Sequence, residues 1–151
     1  MENFDRQFSD QLEGNFDRLV SLCLEGKDEV VKINQNQFIR VVILNTPQVK
    51  PILDILGIDS NVTVKEHIKL SRDSIEITVQ SPDAFNNRIE FVETRKFTRK
   101  GCDIEYLIHT KGCNKMFPIV LTLMDQLYFN PRKSEIIDMI NSTRQDYDIP
   151  Q

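Results

Sequence analysis

The sequence predicts an α+β protein. An N-terminal helical, coiled-coil stem spans 1–46, and a globular head over 47–151 is a small antiparallel four-stranded sheet covered on one face by helices. Three observations predict it. Leu12, Phe16, Leu19, Cys23, Gly26, Val30 and Ile33 recur at alternating steps of four and three, a heptad spacing. Between 62 and 109 the apolar period falls to two, the period of a half-buried strand. From Lys115 onward the helical period returns.

In the first segment, Glu13, Asp17, Arg18, Glu25, Lys27, Asp28 and Lys32 fill the positions between the heptad residues. This assigns Leu12, Phe16, Leu19, Cys23, Val30 and Ile33 to a dimerisation seam, with one miss at Gly26. The stretch "FIRVVILN" at 38–45 is rich in β-branched residues and reads also as a strand. Thr46-Pro47 ends the stem, because proline removes a backbone donor. Pro51 then opens a short apolar helix through Ile52, Leu53, Ile55 and Leu56, with Gly57 as its C-cap.

Four strands follow. Val62, Val64, Ile68 and Leu70 alternate with Thr63, Lys65, His67 and Lys69. Ile75, Ile77 and Val79 alternate with Glu76, Thr78 and Gln80. Ile89, Phe91 and Phe97 mark the third strand, and Ile104, Tyr106 and Ile108 the fourth. The turn-rich breaks "SRDS", "SPDAFNNR" and "RKGC" are short, which implies an antiparallel meander.

Met116, Ile119, Val120, Leu123, Met124 and Leu127 then form one helical stripe. Asn130 and Pro131 stand where an N-cap and a first helical residue belong, so a second helix starts there. Its buried face is Ile136, Ile140, Thr143 and Tyr147. Tyr128 and Phe129 fall at the corner between the two helices.

Composition narrows the function. At 40% hydrophobic and 28% charged residues the chain is globular, and a formal net charge of -4 argues against direct nucleic-acid binding. No apolar run approaches the roughly 20 residues of a membrane span. The acidic, mixed start "MENFDRQFSD" is unlike a signal peptide, and three cysteines suit a reducing nuclear or cytoplasmic setting. His67 and His109 both fall at the polar phase of strands. No nucleophile elbow or phosphate loop is present, and Cys102, His109 and Cys113 lack the spacing of a zinc site. Glu90, Glu93 and Glu105 read as a solvated strand face balanced by Arg95, Lys96, Arg99 and Lys100. The expectation is a protein without catalytic residues, metal or cofactor.

The order stem, "LDILGI" at 53–58, meander, then "MFPIVLTLMDQLYFNPRKSEIIDMI" at 116–140 resembles kinetochore proteins with RWD-like heads, most of all the V-shaped homodimeric subunit of the monopolin complex. That resemblance implies a non-enzymatic scaffold of chromosome segregation. It would dimerise with itself or with a paralogous stem-and-head chain, and bind a peptide or helical segment of a partner protein. Tyr106, Tyr128 and Phe129 are its candidate partner-binding residues, since aromatics dominate interfaces. A second resemblance is to START-like helix-grip domains, which bind lipids or small hydrophobic ligands. There "FIRVVILN" is the first strand, followed by "NTP", "QVKPILDILG", a meander and a long C-terminal helix. The break expected at Asn130-Pro131 and the low strand count favour the first resemblance.

Overall fold

Seven strands hydrogen-bond into one antiparallel sheet in a computed structural model that describes residues 2–25, 30–44, 49–58 and 62–145. They are β1 (Glu2–Glu13), β2 (Val30–Asn34), β3 (Gln37–Leu44), β4 (Val62–Leu70), β5 (Ser74–Gln80), β6 (Ile89–Lys100) and β7 (Asp103–Asn114), in the spatial order β1-β7-β6-β5-β4-β3-β2. Helices α1 (Phe16–Leu24) and α2 (Lys50–Leu56) interrupt the strand series. The chain ends in α3 (Pro118–Met124), a π-helical turn (Asp125–Phe129) and α4 (Asn130–Gln145).

The four segments with a clear period of two are β4 to β7, the central meander. Each buries one face, as in the alternating pattern of β4, where Val62, Val64, Glu66 and Ile68 are buried and Thr63, Lys65, His67 and Lys69 exposed. Gly57 closes α2 in the left-handed conformation at φ 69°, ψ 32°, as its C-cap position requires.

The stem is overturned. Leu12 lies in β1, which pairs with β7 from Glu2↔Asn114 to Glu13↔Asp103. Phe16, Leu19 and Cys23 do share a helix face, but α1 is nine residues long and buries them in the protein's own core. Val30 and Ile33 belong to the edge strand β2, paired with β3 across an Asn-rich turn, and Ile33 is exposed. Gly26, Thr46-Pro47 and Tyr147 lie outside the described residues. The heptad reading failed for a physical reason. The described heptad residues fall on three elements, β1, α1 and β2, so one apparent seven-residue period joined a strand, a short helix and a second strand. Leu12 also follows Phe4 and Phe8 at an even spacing of four, which fits one face of a strand as well as one stripe of a helix. The sheet therefore has seven strands rather than four, and "FIRVVIL" is β3.

The expected helix break is also absent. Met124, Asp125 and Asn130 all hold right-handed helical angles, and the Asn130 N–H donates to the Asp125 carbonyl, five residues back. The helix passes through as a π turn. Pro131 has no N–H for the carbonyl four residues earlier, and its ring crowds that carbonyl in a regular α-helix. A widened turn just before it accommodates the ring without ending the helix.

The buried apolar residues form two clusters on the helix-covered face. One gathers Leu19, Ile68, Ile75, Phe97, Ile104, Tyr106 and Ile140 beneath α1 and α4. The other gathers Phe4, Leu53, Phe85, Ile89, Val120, Met124 and Phe129 beneath α2 and α3.

Candidate functional site

A row of polar residues crosses the covered face of the sheet. Strand register places Arg40 opposite Glu66, Glu66 opposite Val79, Val79 opposite Glu93, Glu93 opposite Thr110, and Thr110 opposite Arg6. Arg95, two residues along β6 from Glu93, faces the same way. Val79 continues the core, and apolar residues at the charged positions would have done the same.

The charges pair closely. Nε and Nη2 of Arg40 each lie 2.8 Å from Glu66 Oε1. Arg40 Nη1 also donates to the Cys23 carbonyl at 3.2 Å, at the electronegative end of α1. Arg95 bridges both carboxylates: Nε and Nη2 reach Glu93 Oε2 at 2.9 and 2.8 Å, and Nη1 reaches Glu66 Oε2 at 3.3 Å. At the far end of the row Arg6 grips Asp125 with two bonds, at 2.7 and 2.8 Å, tying β1 to the π turn.

The C-terminal helix supplies the opposite wall. Arg132 Nη2 lies 3.5 Å from Glu93 Oε2, and Nη1 lies 3.1 Å from the exposed Glu135. The Tyr128 hydroxyl stands 3.4 Å from the same Glu93 oxygen, and the Arg132 guanidinium lies 5.4 Å from the Tyr128 ring. Glu93 Oε1 and Arg132 Nε are both buried and have no hydrogen-bond partner among the described residues.

These contacts set the ionisation. Burial alone would push the Glu93 carboxyl up, but Arg95 and Arg132 outweigh it and hold the group below its ordinary range. Burial would lower Arg95, but Glu93, Tyr128 and Glu66 outweigh it and keep the guanidinium charged. Burial and the neighbouring Glu93 charge raise Tyr128.

Between the sheet and the helix, bordering this cluster, is a cavity of about 250 Å³. Its apolar lining comes from Val42 and Val64 on the sheet, Val49 and Ile52 at α2, Phe85 in a short 3-10 turn, Phe91 on β6, and Met124 and Leu127 on the helix. Its polar lining is Arg40, Glu66, Arg95, Tyr128, Arg132 and Glu135. The exposed Ile43 and Glu135 mark its rim. The π turn shapes the helical wall by presenting the consecutive residues Leu127 and Tyr128 to the space.

The residues singled out in the sequence have other places. Tyr106 is 0% exposed in the core beneath α1 and α4. Phe129 is 1% exposed and packs on Phe4 with ring centroids 5.5 Å apart. Tyr128 alone of the three lines the cavity. Leu12 packs half-buried against the core, and Cys23, buried, has its thiol pushed up to about 11 by desolvation. His67 is exposed on the outer face, and His109 meets Asp5 at 2.8 Å at the surface. Cys102 precedes β7 and Cys113 nearly ends it, so the strand's length separates them.

Glu93 and Arg95 are a correction. They lie not on a solvated face but inside, Glu93 at 0% exposure, while Glu90 and Glu105 do face outward. The signal was present. Ile89, Phe91, Glu93, Arg95 and Phe97 share one parity, and Glu66 shares that of Val64 and Ile68. Strand phase, followed strictly, places all three charges indoors.

Neither a family model nor a curated protein matches this sequence. Solved structures do resemble the fold. The Zhui aromatase/cyclase from a Streptomyces species superposes with a TM-score of 0.61 at 6% identity, covering 95% of this chain and 94% of that one. A norcoclaurine synthase from Thalictrum flavum, solved with dopamine and hydroxybenzaldehyde, gives 0.54 at 10% identity over 99% and 89%. Dicamba monooxygenase gives 0.57 at 13% identity over 96% of this chain, which spans about half of that longer one, 48%. At such identities the likeness shows the fold alone. The fold is a START-like helix grip, a seven-stranded antiparallel sheet with a C-terminal helix over one face. The kinetochore resemblance, with its coiled coil and RWD-like head, is overturned by these structures and by the seven-stranded sheet; the START-like resemblance accounts for both.

No helix among the described residues is long and apolar enough to cross a membrane.

Proposed function

We propose that this protein binds a small, largely apolar molecule in the cavity between its sheet and its C-terminal helix, and that it does so without transforming the ligand. The cavity carries this reading: about 250 Å³ of space, walled mainly by aliphatic and aromatic side chains with a few convergent polar groups at one side. The solved norcoclaurine synthase, with two small aromatic molecules bound, supports a fold able to enclose such ligands.

The ionisation of the cluster favours binding over catalysis. A general acid or base works best when its pKa lies near the operating pH. Glu93 is held low and Tyr128 high, so both stay in one protonation state near neutrality. Glu66 has both oxygens engaged by arginines.

Native mass spectrometry of the purified chain tests the proposal. A non-covalent adduct of small mass is expected, and Val64→Trp, which fills the cavity from the sheet, should abolish it while the chain stays folded. An adduct that survives in Val64→Trp would place the ligand elsewhere.

A further inference from the structure

The charged cluster at the polar end of the cavity has a surplus of positive charge among its buried groups, and one buried donor, Arg132 Nε, and one buried acceptor, Glu93 Oε1, without a partner among the described residues. Three guanidiniums, Arg40, Arg95 and Arg132, stand against two buried carboxylates, Glu66 and Glu93. Glu135 adds a charge at the rim, but its side chain is 58% exposed, so water screens it. The arginines differ in how fully they are used. Arg40 is held by Glu66 and by backbone carbonyls at the end of α1. Arg95 is clamped between the two carboxylates. Arg132 has one long contact to Glu93, one to exposed Glu135, and a buried Nε with no partner among the described residues. It lines the cavity from the helix side, with the Tyr128 ring beside it.

From this arrangement we infer that the ligand is a small carboxylic acid with an apolar body, its carboxylate received by Arg132 and its body lying among Val64, Phe91 and Leu127. The inference rests on the binding role proposed above. A carboxylate supplies what this end of the cavity lacks: one negative charge and two acceptor oxygens in the plane a guanidinium fork prefers. An ammonium group would meet three cations, and an alcohol would leave the surplus charge unanswered. Glu66 does not repel the acid strongly, because Arg40 and Arg95 already neutralise it. Size sets a further limit. The volume lies below the roughly 300–1,000 Å³ typical of drug-sized ligand sites. That suits a single-ring or medium-chain acid rather than a long-chain lipid.

Calorimetric titration with decanoate, 1-decanol and decylamine at pH 7 tests it, since the three share one body and differ in the head. Decanoate is expected to bind about 10- to 100-fold more tightly than decanol, the range of a charge-assisted hydrogen-bonded pair. Decylamine should bind most weakly. Arg132→Gln should erase the preference of acid over alcohol; Arg132→Lys should keep part of it, and serves if the Gln variant does not fold. Equal binding of acid and alcohol, a preference for the amine, or an acid preference that survives in Arg132→Gln would each overturn the inference while leaving the cavity a binding site. If none of the three binds, the binding role itself fails.

Discussion

At the scale of the residue, Glu93 is the most exacting position in the protein. It has no exposed surface and depends on Arg95 and Arg132 for its charge. Removing one member of a buried ion pair leaves the other uncompensated, at a cost of about 3–5 kcal/mol. Glu93→Gln should therefore lose that much stability at pH 7 in a denaturant titration. The pH dependence has a definite sign. The folded-state carboxyl lies below its ordinary value of 4.5, so its charge stabilises the fold above that pH, and the contribution disappears as pH falls through the lowered value. The gap between wild type and Glu93→Gln should narrow below about pH 4. A gap that stays constant into acid would mean that the charge contributes nothing.

At the scale of the element, the sheet is where sequence and structure agree best, and the ends of the chain are where they part. Strands β4 to β7 carry a strict alternation with polar turns between them, which only a strand satisfies. Strand β1 carries Phe4, Phe8 and Leu12, a spacing common to both periods, and local pattern cannot choose between them. What decides is β7, about a hundred residues away, whose free edge β1 completes. Proline at 131 misled for a related reason: a start signal for a new helix and a π turn within an old one use the same residues. The site was legible in part. Inward parity marks Glu66, Glu93 and Arg95, but Arg132 enters the site only once the helix is known to run unbroken over the sheet. Pairing also imposes a requirement at Gly112, opposite Phe91 and Phe4. A Cβ there would run into the Glu90 carbonyl and approach Phe4 Cζ to 2.7 Å. Gly112→Ala should destabilise the fold by about 1–3 kcal/mol, by thermal denaturation, as overpacking in a tight site does. An unchanged melting temperature would mean that both β6 and β1 yield easily at this crossing.

At the scale of the whole molecule, the polar row separates the two apolar clusters, and this division calls for an explanation beyond stability. Desolvating five charged groups is costly, and apolar side chains at the same positions would join the clusters into one core. Removing a single charge and removing them all are thus different experiments. The first orphans a partner; the second removes the desolvation cost and the pairing energy together, and is commonly neutral or stabilising by about 1–4 kcal/mol. The combined variant Arg40→Leu, Glu66→Met, Glu93→Leu, Arg95→Met and Arg132→Leu should consequently be at least as stable as the wild type, although Glu93→Gln alone is strongly destabilised. It should also lose all preference for decanoate over decanol. That pairing of results would mean that the charges are kept for the ligand, at some cost to stability, as functional sites often are. If the combined variant instead unfolds, the row is a structural tie between sheet and helix, and ligand chemistry is not what holds it in place.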